Sequence, residues 1–329
     1  MKKIIMLFLL LISLAINVKA EEIAINGNIY NMSTEIEGEG FLYNKEEHIL
    51  YLDNYYGKEI SFSDDLHIVI RGNCVINSDS EYGLNAHNIT LEGASGLYII
   101  NTLYGIKADN LTINGLTIYT DNKNIAIDVL ENITITKSKL LLKANDIGIN
   151  NHNKIYINDS QLNIYSNFGI VANNLELIKD NVLIETTGSA FKPFSVLRLN
   201  NTTMKLKCHN ASAIMGGVII YENDYQVYTS NEDEIYYLDD YYLESTYYYN
   251  YKYLVLSNEE VNNLLESDTS LMLTINEGIL DPDNHQQVNE DDIVNPNTVD
   301  NYWFYVNLLV VSTMCLLPFM VGRRKHGKN

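Results

Sequence analysis

The stretch "YGIKADNLTINGLTIY", residues 104 to 119, decides the fold. It holds three short runs in which apolar and other residues alternate: Gly105-Ile106, Leu111-Thr112-Ile113 and Leu116-Thr117-Ile118. Alternation with a period of two is the mark of a half-buried strand. Asp109-Asn110 and Asn114-Gly115 separate the runs, as polar turns would.

The unit recurs on both sides. "YGLNAHNITLEGASGLYI" starts at Tyr82, "IAIDVLENITITKSKLLLK" at Ile125, "IGINNHNKIYINDSQLNIY" at Ile147, "FGIVANNLELIKDNVLIE" at Phe168 and "SAFKPFSVLRLNNTTMKLK" at Ser189. A small residue falls at Gly83, Gly105, Ala126, Gly148, Gly169 and Ala190, at intervals of 22, 21, 22, 21 and 21. A unit this short cannot bury its apolar face alone, so neighbours must stack into a solenoid. Three strands per turn at this period predict an all-β fold: a right-handed, single-stranded parallel β-helix over residues 45–230. The frame of a leucine-rich repeat is absent. A β-sandwich is the competing reading, and it gives no reason for a near-constant interval.

Stacking turns sequence columns into spatial ladders. Ile89, Leu111, Ile133, Ile155, Leu175 and Leu197 form an expected core column. The outward column beside it reads Thr90, Thr112, Thr134, Tyr156, Glu176 and Arg198. A third column, Asn88, Asn110, Asn132, Lys154 and Asn174, suits an amide ladder.

Open solenoid ends expose strand edges and need caps. Residues 21–44 are expected to form the first and the Tyr-rich residues 231–276 the second. "ILYLDNYYGKEISF" from Ile49 and "IYYLDDYYLESTYY" from Ile235 are similar elements near the two ends. Ser257 and Glu260 read as a capping box opening a short helix, with a strand expected over residues 271–275. Residues 277–301 are polar and acidic, as a stalk would be.

Both termini point to a membrane. Residues 1–20 carry Lys2 and Lys3, an apolar run and Val18-Lys19-Ala20, the pattern of a secretory signal peptide. Residues 302–321 are long and apolar enough for a transmembrane helix. The basic residues of 322–329 mark the cytoplasmic side. The expected product is a single-pass precursor at the cell surface, with residues from 21 to about 300 outside. A buried core helix is the alternative for 302–321.

The net charge of -20 argues against nucleic acid as a partner, because a phosphate footprint needs clustered Lys and Arg. Of the four arginines, only Arg71 and Arg198 lie outside the tail. Of the three cysteines, Cys74 and Cys208 are exported. The column register places them about six coils apart, or ~29 Å at ~4.8 Å per coil, too far for a disulfide. A monomer is expected.

Residues 40–77, "GFLYNKEEHILYLDNYYGKEISFSDDLHIVIRGNCVIN", carry Tyr43, Ile49-Leu50-Tyr51-Leu52, Asn54-Tyr55, Leu66 to Asn73, and Val75-Ile76. This pattern resembles secreted bacterial β-helix proteins that bind carbohydrate, the best-known kind binding polygalacturonate-type polysaccharides with calcium. With the repeat units, the resemblance covers residues 40 to 230. It implies a polysaccharide partner, one of acidic type included. Members with calcium sites repeat Asp-Asp pairs beside the "GI" element. This chain has Asp146 there, with Asn124 and Asn167 in its column, as a thin calcium candidate; no other cofactor is expected. Asn295, Pro296, Asn297 and Thr298, followed by an apolar run and basic residues, resemble a sortase sorting signal, with Val299 where glycine is common. That implies a sortase partner and cell-wall anchoring.

Three functions compete on these grounds. The Asp-cluster motifs of β-helix hydrolases are absent, and a lyase needs a base beside a metal-binding acidic group; no catalytic residue is assigned. A binder is favoured, since tyrosine rings stack on sugars while their hydroxyls stay wet. Its expected contacts are Tyr98, Tyr119, Tyr156 and Tyr165, pointing outward, with Thr90, Thr112 and Thr134. A passive spacer or protein-binding adhesin is the third reading.

Overall fold

The computed structural model describes residues 21–192, 195–222, 225–229, 234–238, 242–244 and 253–259. The expected signal peptide, the helix and strand expected after Glu259, the expected stalk with Asn295, Pro296, Asn297 and Thr298, and the expected transmembrane segment lie outside these residues. Among the described residues no helix is long and apolar enough to cross a membrane.

The described chain is all β and winds into a β-solenoid of about eight turns. The repeats from Tyr82 to Phe168 each contribute two strand segments to one long sheet and one to a second sheet, and in the repeat at Ser189 the first segment is reduced to a bridge at Phe191. In the unit at Tyr82 these are Tyr82–Asn85, Asn88–Gly93 and Gly96–Ile100. In the next two units the first two segments fuse, giving Tyr104–Asn114 and Ile125–Thr136, with a register shift between Ala108 and Asn110.

Successive coils pair in parallel, in the register that the repeat intervals imply. Ile89 pairs with Leu111, Leu111 with Ile133, Ile133 with Ile155, Ile155 with Leu175 and Leu175 with Leu197. All six are at most 2% exposed. Burying an Ile or Leu side chain is worth about 1.5–3 kcal/mol, so this one column fixes the register strongly. A slip of one residue would turn every one of its side chains to solvent. In the second sheet Leu97, Ile118, Leu140, Leu162, Val182 and Met204 make the matching inward column, each at most 1% exposed.

A turn joins the two sheets in each coil, and its geometry repeats. Gly115, Lys137, Asp159, Lys179 and Asn201 all have positive φ, between 49° and 75°. Only Gly115 adopts this region without steric cost. Each is followed by a residue of a buried ladder: Leu116, Ser138, Ser160, Asp180 and Thr202.

Antiparallel strands stand at both ends of the parallel ladder. Glu22–Ile25 pairs antiparallel with Ile60–Phe62, and Phe41–Asn44 with Ile49–Asp53. At the other end Tyr242–Glu244 lies antiparallel on Val218–Glu222, and Tyr253–Ser257 on Thr203–Cys208. An antiparallel strand ends the parallel stacking, since it does not continue the coil that a further repeat would need.

Candidate functional site

The outer face of the long sheet presents three adjacent columns. The first is a hydrogen-bonded amide ladder. Asn110 Nδ2 donates to Asn88 Oδ1 at 2.9 Å, and Asn132 Nδ2 donates to Asn110 Oδ1 at 3.1 Å. One coil on, the sequence places Lys154 in this column. Asn153 supplies the amide instead, its Nδ2 donating to Asn132 Oδ1 at 3.2 Å. Lys154 turns to Glu176, 2.7 Å away.

The middle column is Thr90, Thr112, Thr134, Tyr156, Glu176 and Arg198, paired coil to coil. Thr112 and Arg198 are exposed, and the other four are half-buried. No described residue bonds the hydroxyls of Thr90, Thr112 or Thr134. Each hydroxyl can donate one hydrogen bond and accept two, and each repeats at the coil spacing of ~4.8 Å. In the third column Thr136 donates to Asn114 at 3.1 Å.

Where threonine gives way to larger residues, the face hollows. A groove of about 220 Å³ is lined by Lys154, Asn174, Leu175, Glu176, Val196 and Arg198. Lys154 Nζ sits 5.8 Å from the centroid of the Tyr156 ring, beside this groove. Its lining carries two cations and one carboxylate, in a chain of net charge -20.

Of the expected contacts, the fold thus brings Thr90, Thr112, Thr134 and Tyr156 into one line. It does not bring the remaining tyrosines there. Tyr98, Tyr119 and Tyr165 belong to the second sheet. Tyr98 and Tyr119 alternate with inward residues, as expected of outward positions, but both are 5% exposed rather than open to solvent. This corrects their reading as surface contacts. Their rings lie 6.0 Å apart in a ladder whose neighbours in register, Val75 and Leu141, are each 6% exposed. Apolar side chains stacked one per coil shield one another, and burial raises both phenol pKa values. Tyr165 is half-buried, with its phenol pushed up by desolvation and by Glu185.

Alternation alone could not separate an outward open column from an outward buried one. It also passed over an aromatic pair at the first position of the repeat. Tyr82 and Tyr104 stack at 5.6 Å, and Lys107 Nζ stands 5.0 Å from the Tyr104 centroid. Lys107 is held by Asp128 at 2.6 Å, which raises its pKa. The signal was available, because a tyrosine opens both units.

The calcium candidates do come together. Asp146 N donates to the Asn124 carbonyl at 2.9 Å, and Asn167 Nδ2 to Asp146 Oδ1 at 3.3 Å. Thr187 Oγ1 donates to Asn167 Oδ1 at 2.8 Å. The cluster offers one carboxylate, and its bonds already use Oδ1 of Asp146 and Oδ1 of Asn167. Calcium takes six to eight oxygens, several of them from carboxylates, so the set does not fit that ion. Among the described residues no three His, Cys, Asp or Glu side chains are grouped to hold a metal.

No family model, curated protein or solved structure matches the chain.

Proposed function

We propose that this chain is a non-catalytic, polysaccharide-binding β-solenoid displayed at the cell surface, with the hand expected of parallel crossovers, right-handed. The observation that carries the reading is the outer face of the long sheet. There three threonine hydroxyls left unbonded by described residues stand in register, one per coil, and lead to Tyr156 and the Lys154–Glu176–Arg198 groove.

A regular polymer suits a regular face. Hydroxyls recurring at the coil spacing can exchange hydrogen bonds with the hydroxyls of successive sugar units, and the tyrosine adds an apolar contact. The groove would seat a unit that needs charge, with Arg198 exposed at its rim. The resemblance of residues 40–77 to carbohydrate-binding β-helix proteins supports the same partner class. The apolar segment 302–321 and the sorting-type element at Asn295 to Thr298 support surface anchoring, with a sortase as partner.

The test is binding of the full chain, in detergent, to a panel of neutral and acidic polysaccharides, with and without a calcium chelator. We expect retention on at least one polysaccharide, insensitive to the chelator and weakened by Thr112→Val. Absence of retention on every member, or binding unaltered by Thr112→Val and by Tyr156→Ala, would remove the reading.

A further inference from the structure

The turn between the two sheets contains a single-file hydrogen-bond chain that runs along the solenoid inside the wall. Leu116 N donates to Ser138 Oγ, Ser138 N to Ser160 Oγ, and Ser160 N to Asp180 Oδ1, at 3.3, 3.1 and 2.8 Å. Asp180 N donates to Thr202 Oγ1 at 3.2 Å, and Thr202 N to the Tyr225 hydroxyl at 2.9 Å. Each side chain thus holds the backbone of the coil before it. At three positions the link is a hydroxyl that also donates back to a carbonyl two residues earlier: Ser138 to Thr136, Ser160 to Asn158 and Thr202 to Asn200. At Asp180 this contact is reversed, and Oδ2 accepts from Ile178 N at 2.8 Å.

Asp180 is the one carboxyl in this chain, and it is 2% exposed. Among the described residues no cation pairs with it. The groups around it offer no compensation. Asp159, exposed on the preceding turn, adds like charge; Lys179, its exposed sequence neighbour, forms no described ion pair; and the following turn presents Thr202, backed by the neutral Tyr225 hydroxyl. The two amide donors favour the ionised form, but burial outweighs them.

We propose that Asp180 is a proton-operated joint of the solenoid, which holds the coils from Phe168 onward against the coil of Ser160 when protonated and loosens them when ionised. A stack whose units touch only their neighbours can open at one interface, and the interface around Asp180 is the one whose buried link changes charge. The sign follows from linkage. Desolvation lifts the carboxyl from its ordinary value to about 7 in the folded coil. The stabilising contribution is therefore complete below about pH 4 and is lost as pH rises through about 7.

Hydrogen exchange of the full chain between pH 5 and 8, corrected for intrinsic rates, tests this. Protection over residues 168–222 should fall with rising pH, by up to about tenfold per unit below pH 7, while residues 104–136 keep theirs. Asp180→Asn keeps an acceptor and cannot ionise, so its protection should be flat. The same slope in Asp180→Asn, or a flat wild type, would overturn the proposal. Should Asp180→Asn not fold, the infrared band of a protonated carboxyl in the wild type at pH 6 decides. The band must be present, and must vanish in Asp180→Ser, which restores the residue type used one coil earlier. Its absence in the wild type, or its survival in Asp180→Ser, would refute the joint.

Discussion

Gly169 lies against the backbone of Ala190, one coil further on. A β-carbon at 169 would stand 2.5 Å from the Ala190 carbonyl oxygen and 2.6 Å from Ile184 Cγ2. The first contact is with backbone that is itself hydrogen-bonded: Ile170 N donates to that same Ala190 oxygen at 2.7 Å. The small residue of each repeat is therefore a consequence of coil-to-coil approach. Gly169→Ala should cost about 1–3 kcal/mol through overpacking, and Gly169→Val more. The unfolding midpoint in denaturant measures it, and an unchanged midpoint for Gly169→Val would contradict the packing.

The amide ladder gives a second expectation. Asn110 donates to Asn88 and to Glu131, and accepts from both the backbone and the side chain of Asn132. Asn110→Ala removes all of these at a partly exposed site. Since a hydrogen bond contributes about 1 kcal/mol net and water can replace part of the loss, a destabilisation of about 1–2 kcal/mol is expected. Asn88→Ala, at the head of the ladder, leaves the Asn110–Asn132 bonds in place and should cost less. Denaturation of the two variants side by side decides the order.

The coil register was legible because its cause is local and periodic. Each repeat buries the same positions, so the columns at Ile89 and Thr90 could be read from intervals alone, and both pair as expected. The site was less legible because exposure is not periodic. Thr112 and Tyr119 are both outward, yet one is exposed and the other buried, a difference set by neighbours in adjacent coils and not by the alternation within one. The turn was legible as polar but not as a ladder. Leu116, Ser138, Ser160, Asp180 and Thr202 have no single residue type in common, only a place after a positive-φ residue.

Cys74 and Cys208 extend the register to chemistry. Cys74 opens the inward column of the second sheet and Met204 closes it, six pairings later. Cys208 lies beyond Met204 on that last strand. Both thiols are free and buried, and burial pushes Cys74 up to about 11. Thiolate is the reactive form, so neither should alkylate at pH 8 in the folded chain. Mass spectrometry after iodoacetamide should show no label on Cys74 or Cys208 under native conditions and full label on both in denaturant without reductant. Native labelling of Cys74 would place it outside the core.

Tyr98 and Tyr156 separate the two outward faces by experiment. Tyr98 is 5% exposed, packs against Tyr119 and sits in the second sheet. Its loss leaves a cavity in a packed ladder, and Tyr98→Ala should cost about 3 kcal/mol, near the lower end for large aromatic truncations. Tyr156 is half-buried on the long sheet, with Lys154 over its ring and the threonine column in line with it. Tyr156→Ala removes less buried area and should shift stability by under about 1 kcal/mol. If the face binds polysaccharide, losing the ring should weaken retention about 2- to 10-fold, the range of an aromatic contact worth about 0.5–1.5 kcal/mol. The expected result is thus a crossed pair: Tyr98→Ala less stable with affinity unchanged at a temperature where it stays folded, and Tyr156→Ala stable with affinity reduced. Loss of affinity in Tyr98→Ala alone would move the binding face to the second sheet and leave the threonine column as a strand-forming surface only.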